Sequence, residues 1–280
     1  MASPTFASLA DAAALIVATA DLEEKVAVAY DAAKGWFGRR LSLRGALDRP
    51  MPERPGRPER PILVPPRELP KRSPVSAHGR LALIHSLAHI ELNAVDLTWD
   101  LVGRFARVPM PRSFFDNWVQ VGLEEAKHFS LLADHLKAMG GAYGDLPAHD
   151  GLWQATQETG HDLMARLAVL PLVLEARGLD VTPPLVDKLA EQGDEAGSAI
   201  LAIIYRDERR HVAFGCKWFR FLCDRHGLAP EPTFRKLVIK HFRGPLKPPF
   251  NDAARAEAGM TPGFYRPLVR PLEASISTKA

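Results

Sequence analysis

Apolar residues recur at helical spacing through most of this chain, and the period is lost in two places. Phe6, Leu9, Ala13, Ile16, Val17 and Ala20 fall on one face, with no Gly or Pro until Gly35, which predicts a single helix over residues 6–36. Leu83, Leu87, Ile90, Ala94, Leu97, Leu101 and Phe105 make a second stripe within residues 81–108, stopped by Pro109 and Pro111. Ser113, with Asp116 three residues on, reads as the N-cap of a helix through Met139 that Gly140 and Gly141 end. After a loop over residues 143–150 and a short amphipathic piece from Leu152 to Thr159, a strongly apolar helix is predicted from His161 to Arg177, kinked at Pro171 and closed by Gly178. Thr182 and Pro183 then read as the cap and first position of a short helix to Gln192. The last long helix runs from Asp194 to Arg225, and a short basic helix follows Pro232 to about Phe242. No stretch reads as a strand, so the expected class is all-α, with four long helices able to form a bundle.

The two stretches without a period differ in character. From Arg39 to Arg80 the chain is Pro-rich and holds eleven Arg or Lys against four acids, among them Asp48 and Glu53. Such a segment can be neither a helix nor a central strand, so it runs extended over a surface or stays mobile. Two readings stand side by side: an arm tied down by Arg to surface carboxylates, or a contact for RNA or another anion. The second stretch, from Arg243 to Phe250, returns to extended chain. Phe250, Met260, Phe264 and Tyr265 beyond it are expected to wrap the bundle, since in water they would be wasted. The organisation expected is therefore an N-terminal helical extension (1–38), the basic arm (39–79), a four-helix bundle (80–227) and a C-terminal short helix with its tail (228–280).

Within the bundle, the polar residues on apolar faces carry the chemistry. Glu91 is flanked one turn away by Leu87, Ala88, Ala94 and Val95, and Glu175 follows Val169, Leu170, Leu172, Val173 and Leu174. A carboxylate in such a setting is costly unless neutralised or paired. The other two long helices carry Glu-x-x-His, Glu125/His128 and Glu208/His211, a spacing that puts both side chains on one helix face. One such match would be unremarkable, but these two share a further pattern: an acid before the Glu and a base before the His, as Glu124-Glu125-Ala126-Lys127-His128 and Asp207-Glu208-Arg209-Arg210-His211. Glu125 follows Glu91 by 34 positions and Glu208 follows Glu175 by 33, so each acid can meet its partner motif at a similar height. The order Glu, Glu-x-x-His, Glu, Glu-x-x-His is the ligand pattern of a two-metal carboxylate site in a four-helix bundle. Glu91, Glu125, His128, Glu175, Glu208 and His211 are the expected ligands, and their oxygen-rich set suits two iron ions, or manganese. Each buried Glu could instead pair with an Arg or Lys of the core.

Around this set, Glu124 and Asp207 are each expected to accept a hydrogen bond from the far ring nitrogen of a ligand His on another helix, while Lys127 and Arg210 read as surface or ion-pairing bases. Tyr205, one turn before Glu208, is a candidate redox neighbour or a packed core tyrosine. A third Glu-x-x-His, Glu158/His161, holds Gly160 and lacks the flanking acid, so it reads as a helix start or surface feature. His85 and His89 lie on other faces than Glu91.

Composition narrows the field. The 280 residues are 46% hydrophobic with a net charge of +3, too small to argue for nucleic acid by itself. Cys216 and Cys223, seven apart on one helix face, read as reduced thiols. No basic, apolar and cleavage-site series marks a signal peptide, and no run of about 18 apolar residues occurs. A cytoplasmic protein with no membrane partner is expected.

At these residues the sequence resembles the ferritin-like superfamily, whose oxygen-activating members carry the D/E-E-x-R/K-H motif twice. More closely, His89-Ile90-Glu91-Leu92, Glu124 to Phe129, Leu174-Glu175-Ala176-Arg177-Gly178-Leu179-Asp180 and Arg243 to Phe250 resemble an uncharacterised bacterial family of ferritin-like proteins, over about residues 60–260. That family looks related to the di-iron tRNA hydroxylase. The resemblance implies the fold, a di-iron site and O₂ as co-substrate, with a small molecule or tRNA as the other partner; it carries neither the identity of that substrate nor the electron donor. Three classes fit: an oxidase or monooxygenase whose substrate enters beside Gly122, a ferroxidase or iron-handling protein, and a non-catalytic binding protein that keeps the fold.

Overall fold

The computed structural model describes residues 6–45, 50–70, 72–242 and 246–269. Asp48, Arg49 and Lys71 of the arm, and residues 243–245 at the start of the expected extended segment, lie outside them. The described residues form an all-α structure whose only ladder contacts are isolated bridges, Ser8 with Ser42 and Leu63 with Ala148. No helix among them is long and apolar enough to cross a membrane.

The long helices are α3 (Ala77–Arg104), α4 (Arg112–Ala138), a rod made of α6 (Leu163–Val169), a π-helical turn (Leu170–Glu175) and α7 (Ala176–Glu191), and α8 (Glu195–His226). Their directions follow from facing pairs. Trp99 faces Gly122 and Leu81 faces Gly141, so α3 and α4 are antiparallel. Asn117 meets Trp218, His128 meets Asp207 and His135 meets Asp194, so α4 and α8 are antiparallel too. Residues 139–162, with α5 (Gly151–Glu158), must therefore carry the chain back along the bundle before the third rod begins.

Three boundaries differ from the sequence expectation. The first helix is two, α1 (Leu9–Ala18) and α2 (Leu22–Phe37), packed as a hairpin against α3 and α4. Thr19 turns its hydroxyl back to the Leu15 carbonyl, and the Asp21 carboxylate accepts the Glu24 N–H at 2.8 Å, opening a new helix that the continuing apolar period concealed. In α4, Pro111 takes the N-cap position and Ser113 caps nothing, while Asp116 accepts the Trp36 indole N–H at 2.8 Å. The third rod does not end at Gly178, and no separate helix starts at Pro183: α7 runs through Gly178, Pro183 and Pro184 to Glu191. Pro183 cannot donate to the Leu179 carbonyl. Asn251, from the tail, supplies its side-chain N–H to that oxygen instead, at 3.3 Å.

The arm runs extended and is fastened at several points. Gly56 N–H donates to the Val17 carbonyl at 2.7 Å, the Trp153 indole donates to the Glu53 carbonyl at 3.0 Å, and Arg54 and Arg57 pair with Asp150 and Asp96 at 2.6 Å each. These two arginines are thus spent on carboxylates. The tail wraps as expected, with α9 (Pro230–His241), α10 (Asp252–Glu257) and α11 (Pro262–Tyr265) burying Phe234, Met260, Phe264 and Tyr265.

Apolar burial organises the interior into two clusters. One holds Leu83, Ile84, Ala88, Leu92, Phe129, Leu132, Leu136, Leu189, Leu201 and Ile204; the larger one lies beyond Val95, Ala126, Val173 and Val212 toward the other end. Between them a polar layer crosses all four rods.

Candidate metal centre

The polar layer contains the six expected residues, all buried. Glu91 comes from α3, Glu125 and His128 from α4, Glu175 from the π-turn, and Glu208 and His211 from α8. Glu91, Glu125, His128 and Glu208 place one ligand-type atom each within 4.8 Å of one another, and Glu175, Glu208 and His211 form a second such group. Glu208 belongs to both. Glu125 also reaches both sides: Oε1 approaches His211 Nδ1 at 3.0 Å and Oε2 approaches His128 Nδ1 at 3.5 Å. His128 Nδ1 is 3.2 Å from Glu91 Oε2.

The histidines are oriented from behind. His211 donates Nε2–H to Glu124 at 2.8 Å, and His128 donates Nε2–H to Asp207 at 3.2 Å, each carboxylate sitting on the opposite helix. An ionised carboxylate can only accept, so both rings turn Nδ1 inward. The acids are held in turn. Lys127 donates to Asp207 at 2.5 Å, Gln120 donates to Glu124 at 2.6 Å, and Arg210 bridges Glu124 and Asp207. Gln120 was invisible in the sequence except as the residue one turn before Glu124.

The π-turn sets the height of Glu175. Pro171 packs on Gly215 of α8, where an added Cβ would lie 2.6 Å from the Pro171 ring, and the helix widens by a residue across this close contact.

The electrostatics match a cation site. Burial, then the Glu125 charge, pushes Glu91 up to about 8. Burial and the Glu208 charge raise Glu175 well above the usual carboxylate range, and burial and the Glu125 charge raise Glu208. Burial also opposes the charge on Glu125, but the adjacent His128 and His211 rings outweigh it and hold that carboxyl low. Burial alone would lower both histidines; Asp207 and Glu125 at His128, and Glu124 and Glu125 at His211, outweigh it and raise them well above the ordinary value. Among the described residues, both oxygens of Glu125, both of Glu175 and Oε2 of Glu208 are buried with no hydrogen-bond partner. Lone pairs left this way are expensive, and the lysine and arginine that pair elsewhere in the fold are not offered to them. A pair of divalent cations fits both the unsatisfied oxygens and the donor set.

The remaining candidates fall elsewhere. His85 accepts the Gly144 N–H at 3.0 Å, and His89 lies 2.8 Å from the Tyr143 hydroxyl, so both hold the 143–150 loop against α3. Glu158 ends α5, and His161 lies beside His241, the rings tilted with centroids 5.6 Å apart. The Tyr205 hydroxyl meets the Asn251 amide at 3.4 Å, at the packing of α8 on the tail. Cys216 and Cys223 are free, buried thiols, pushed up by burial to about 12 and about 11. Gly122 opens no passage: the Trp99 indole fills the space beside it, so that a Cβ would lie 2.7 Å from Nε1. The route to the acids is a different one. An apolar cavity of about 160 Å³ reaches Glu91, Glu175 and Glu208 between α3, the third rod and α8.

No solved structure matches the chain. It is 44% identical over 209 residues to an uncharacterized protein of Haemophilus influenzae, a match that covers 73% of each chain. The profile of the family described as Protein of unknown function (DUF455) matches residues 18–266, and with most of its length so covered the chain belongs to that family.

Proposed function

We propose that the chain is a non-haem dimetal carboxylate oxidoreductase of the ferritin-like type, an oxidase or monooxygenase that uses O₂. The observation that carries this reading is the set of buried, hydrogen-bond-free carboxylate oxygens on Glu125, Glu175 and Glu208 beside two inward-turned Nδ1 atoms. Glu91 and His128 would hold one ion, Glu175 and His211 the other, with Glu125 and Glu208 reaching both. Two iron ions bound there, or manganese in place of iron, would supply the electrons that O₂ reduction needs.

The chain's own residues do the rest. Glu124 and Asp207 fix the imidazole tautomers, and Lys127, Gln120 and Arg210 keep those acids ionised and in place. Leu170, Leu174, Leu201 and Ile204 wall the cavity at the acids and exclude water from it. An apolar approach favours an organic substrate over hydrated iron, which separates this reading from a ferroxidase.

The test is metal analysis of the purified protein, then O₂ consumption on adding ferrous iron with and without cell extract. Two bound transition ions and extract-dependent consumption are expected. Consumption in fixed proportion to iron alone would replace the reading with a ferroxidase, and a protein that takes up no metal would be a binding protein.

A further inference from the structure

The cavity at the acids does not end at the bundle surface. Ile90, Leu152, Leu174 and Arg177 line it and also line an outer hollow of about 510 Å³, floored by the tail at Leu246, Lys247 and Phe250. The two hollows have opposite characters. Apart from the three acids at its inner end, the inner one offers Thr182 and Arg177 as its polar lining, whereas among the described residues the outer one is lined by Arg177, Lys247, Arg255 and His149 and by no acid. Asp180 is shared by Arg255 at 2.7 Å and Arg177 at 3.3 Å, one acid for two cations, and Arg177 also gives Nη1 to the Lys247 and Pro249 carbonyls. Lys247 is exposed, so the rim keeps a net positive charge.

Gly178 keeps the inner hollow open. It sits inside α7, where glycine is less stable than alanine and where no turn requires it. A Cβ there would meet Glu208 Cγ at 3.8 Å, an ordinary contact, and anything larger would extend into the space over the acids. A dry apolar cavity of about 150 Å³ holds a benzene-sized ligand, about six carbons.

We infer that the two hollows form one binding site for an anionic amphiphile: an aliphatic chain of about six carbons reaches Glu91, Glu175 and Glu208, and its carboxylate or phosphate head rests by Arg177 and Lys247. This names the substrate class of the site proposed above and rests on that reading for its chemistry. The exposed Ile90 marks the step between the two compartments.

The test is calorimetric titration of the protein as purified with n-alkyl carboxylates, n-alkyl phosphates and the matching alcohols, from two to ten carbons. Affinity for the anions should rise about fourfold per methylene and level off near six carbons. Gly178→Leu should weaken binding of the six-carbon anions about a hundredfold and flatten the series, with Gly178→Ala unchanged. Lys247→Glu should weaken the anions about fivefold and leave the alcohols alone. Whichever head binds tighter identifies the anion. Helix content and bound metal are measured on every variant. A flat series in metal-loaded protein, or a Gly178→Leu variant that binds as the parent does, overturns the inference and leaves the dimetal reading standing. A protein that gives the series without taking up metal keeps the ligand site and loses the dimetal reading.

Discussion

Glu175 brings two buried oxygens to the centre and finds no hydrogen-bond donor for either among the described residues. In metal-free protein that carboxyl is a cost, held protonated by burial and the Glu208 charge. Glu175→Leu removes it at similar volume, so the variant should be more stable than the parent by about 1–3 kcal/mol in chelator, read from urea unfolding midpoints, and should no longer take up two ions. A destabilised variant would mean that Glu175 has a partner in the metal-free fold. Asp207→Ala tests the outer ring: with His128 free to turn, metal affinity should fall about 10–100-fold in competition with a chelator, and unchanged affinity would count against an orienting role.

The same layer sets a pH dependence. Glu91 goes from its ordinary value to about 8 on burial beside Glu125, so the metal-free fold binds a proton that the unfolded chain has released. Stability from such a group is fully present below the unfolded value near 4.5 and is lost as pH rises through about 8. Glu175, Glu208 and both histidines shift in the same direction. Between pH 5 and 8 the metal-free protein should therefore lose thermal stability while metal affinity rises, because the ions displace those protons. Calorimetry in two buffers of different ionisation enthalpy would count the protons released, and a pH-independent affinity would sink the argument.

Among the elements, α7 relies on a bond from outside itself. Its Leu179 carbonyl is bonded by Asn251, whose backbone N–H in turn donates to Asp180 at 2.9 Å and whose side chain caps α10 by accepting the Ala254 N–H at 3.1 Å. Asn251→Ala should cost about 1–2 kcal/mol, visible as a lower urea midpoint at unchanged slope. This is also where reading the sequence stopped short. The stripes of α3, α4 and α8 and the six acids and histidines of the polar layer were legible, because a helical period and the three-residue step of Glu-x-x-His are local features. Gly178 and Pro183 are local signals too, but they point to a helix end that a residue some 70 positions later cancels. The space beside Gly122 was misread for the same reason, since its occupant, Trp99, lies on another helix. The α1–α2 break did have a local mark, Asp21 followed by Glu24, and it was overshadowed by the unbroken apolar spacing.

Across the whole molecule, one buried ion cluster joins the hairpin, the bundle and the arm. Lys25 of α2 is fully buried against Asp96 of α3, and Arg57 of the arm ion-pairs with the other Asp96 oxygen at 2.6 Å and donates to Asn93 at 2.9 Å. Burial lowers Lys25, and Asp96 is what keeps its charge tolerable. Removing Asp96 strands a cation that has no route to water, at about 3–5 kcal/mol, whereas Arg57, partly exposed, can swing outward. Asp96→Ala should therefore lower the global unfolding midpoint and also release the arm, so that a glutamate-specific endoprotease cuts after Glu53 or Glu59 before it cuts the bundle. Adding Lys25→Met to Asp96→Ala removes the stranded charge and should recover much of the lost stability. The arm should stay cleavable in this double variant, because Arg57 still lacks its anchor. If instead the second substitution restored protection of the arm, the fastening would come from the backbone bonds at Gly56 and Glu53, and Asp96 would serve only to neutralise Lys25.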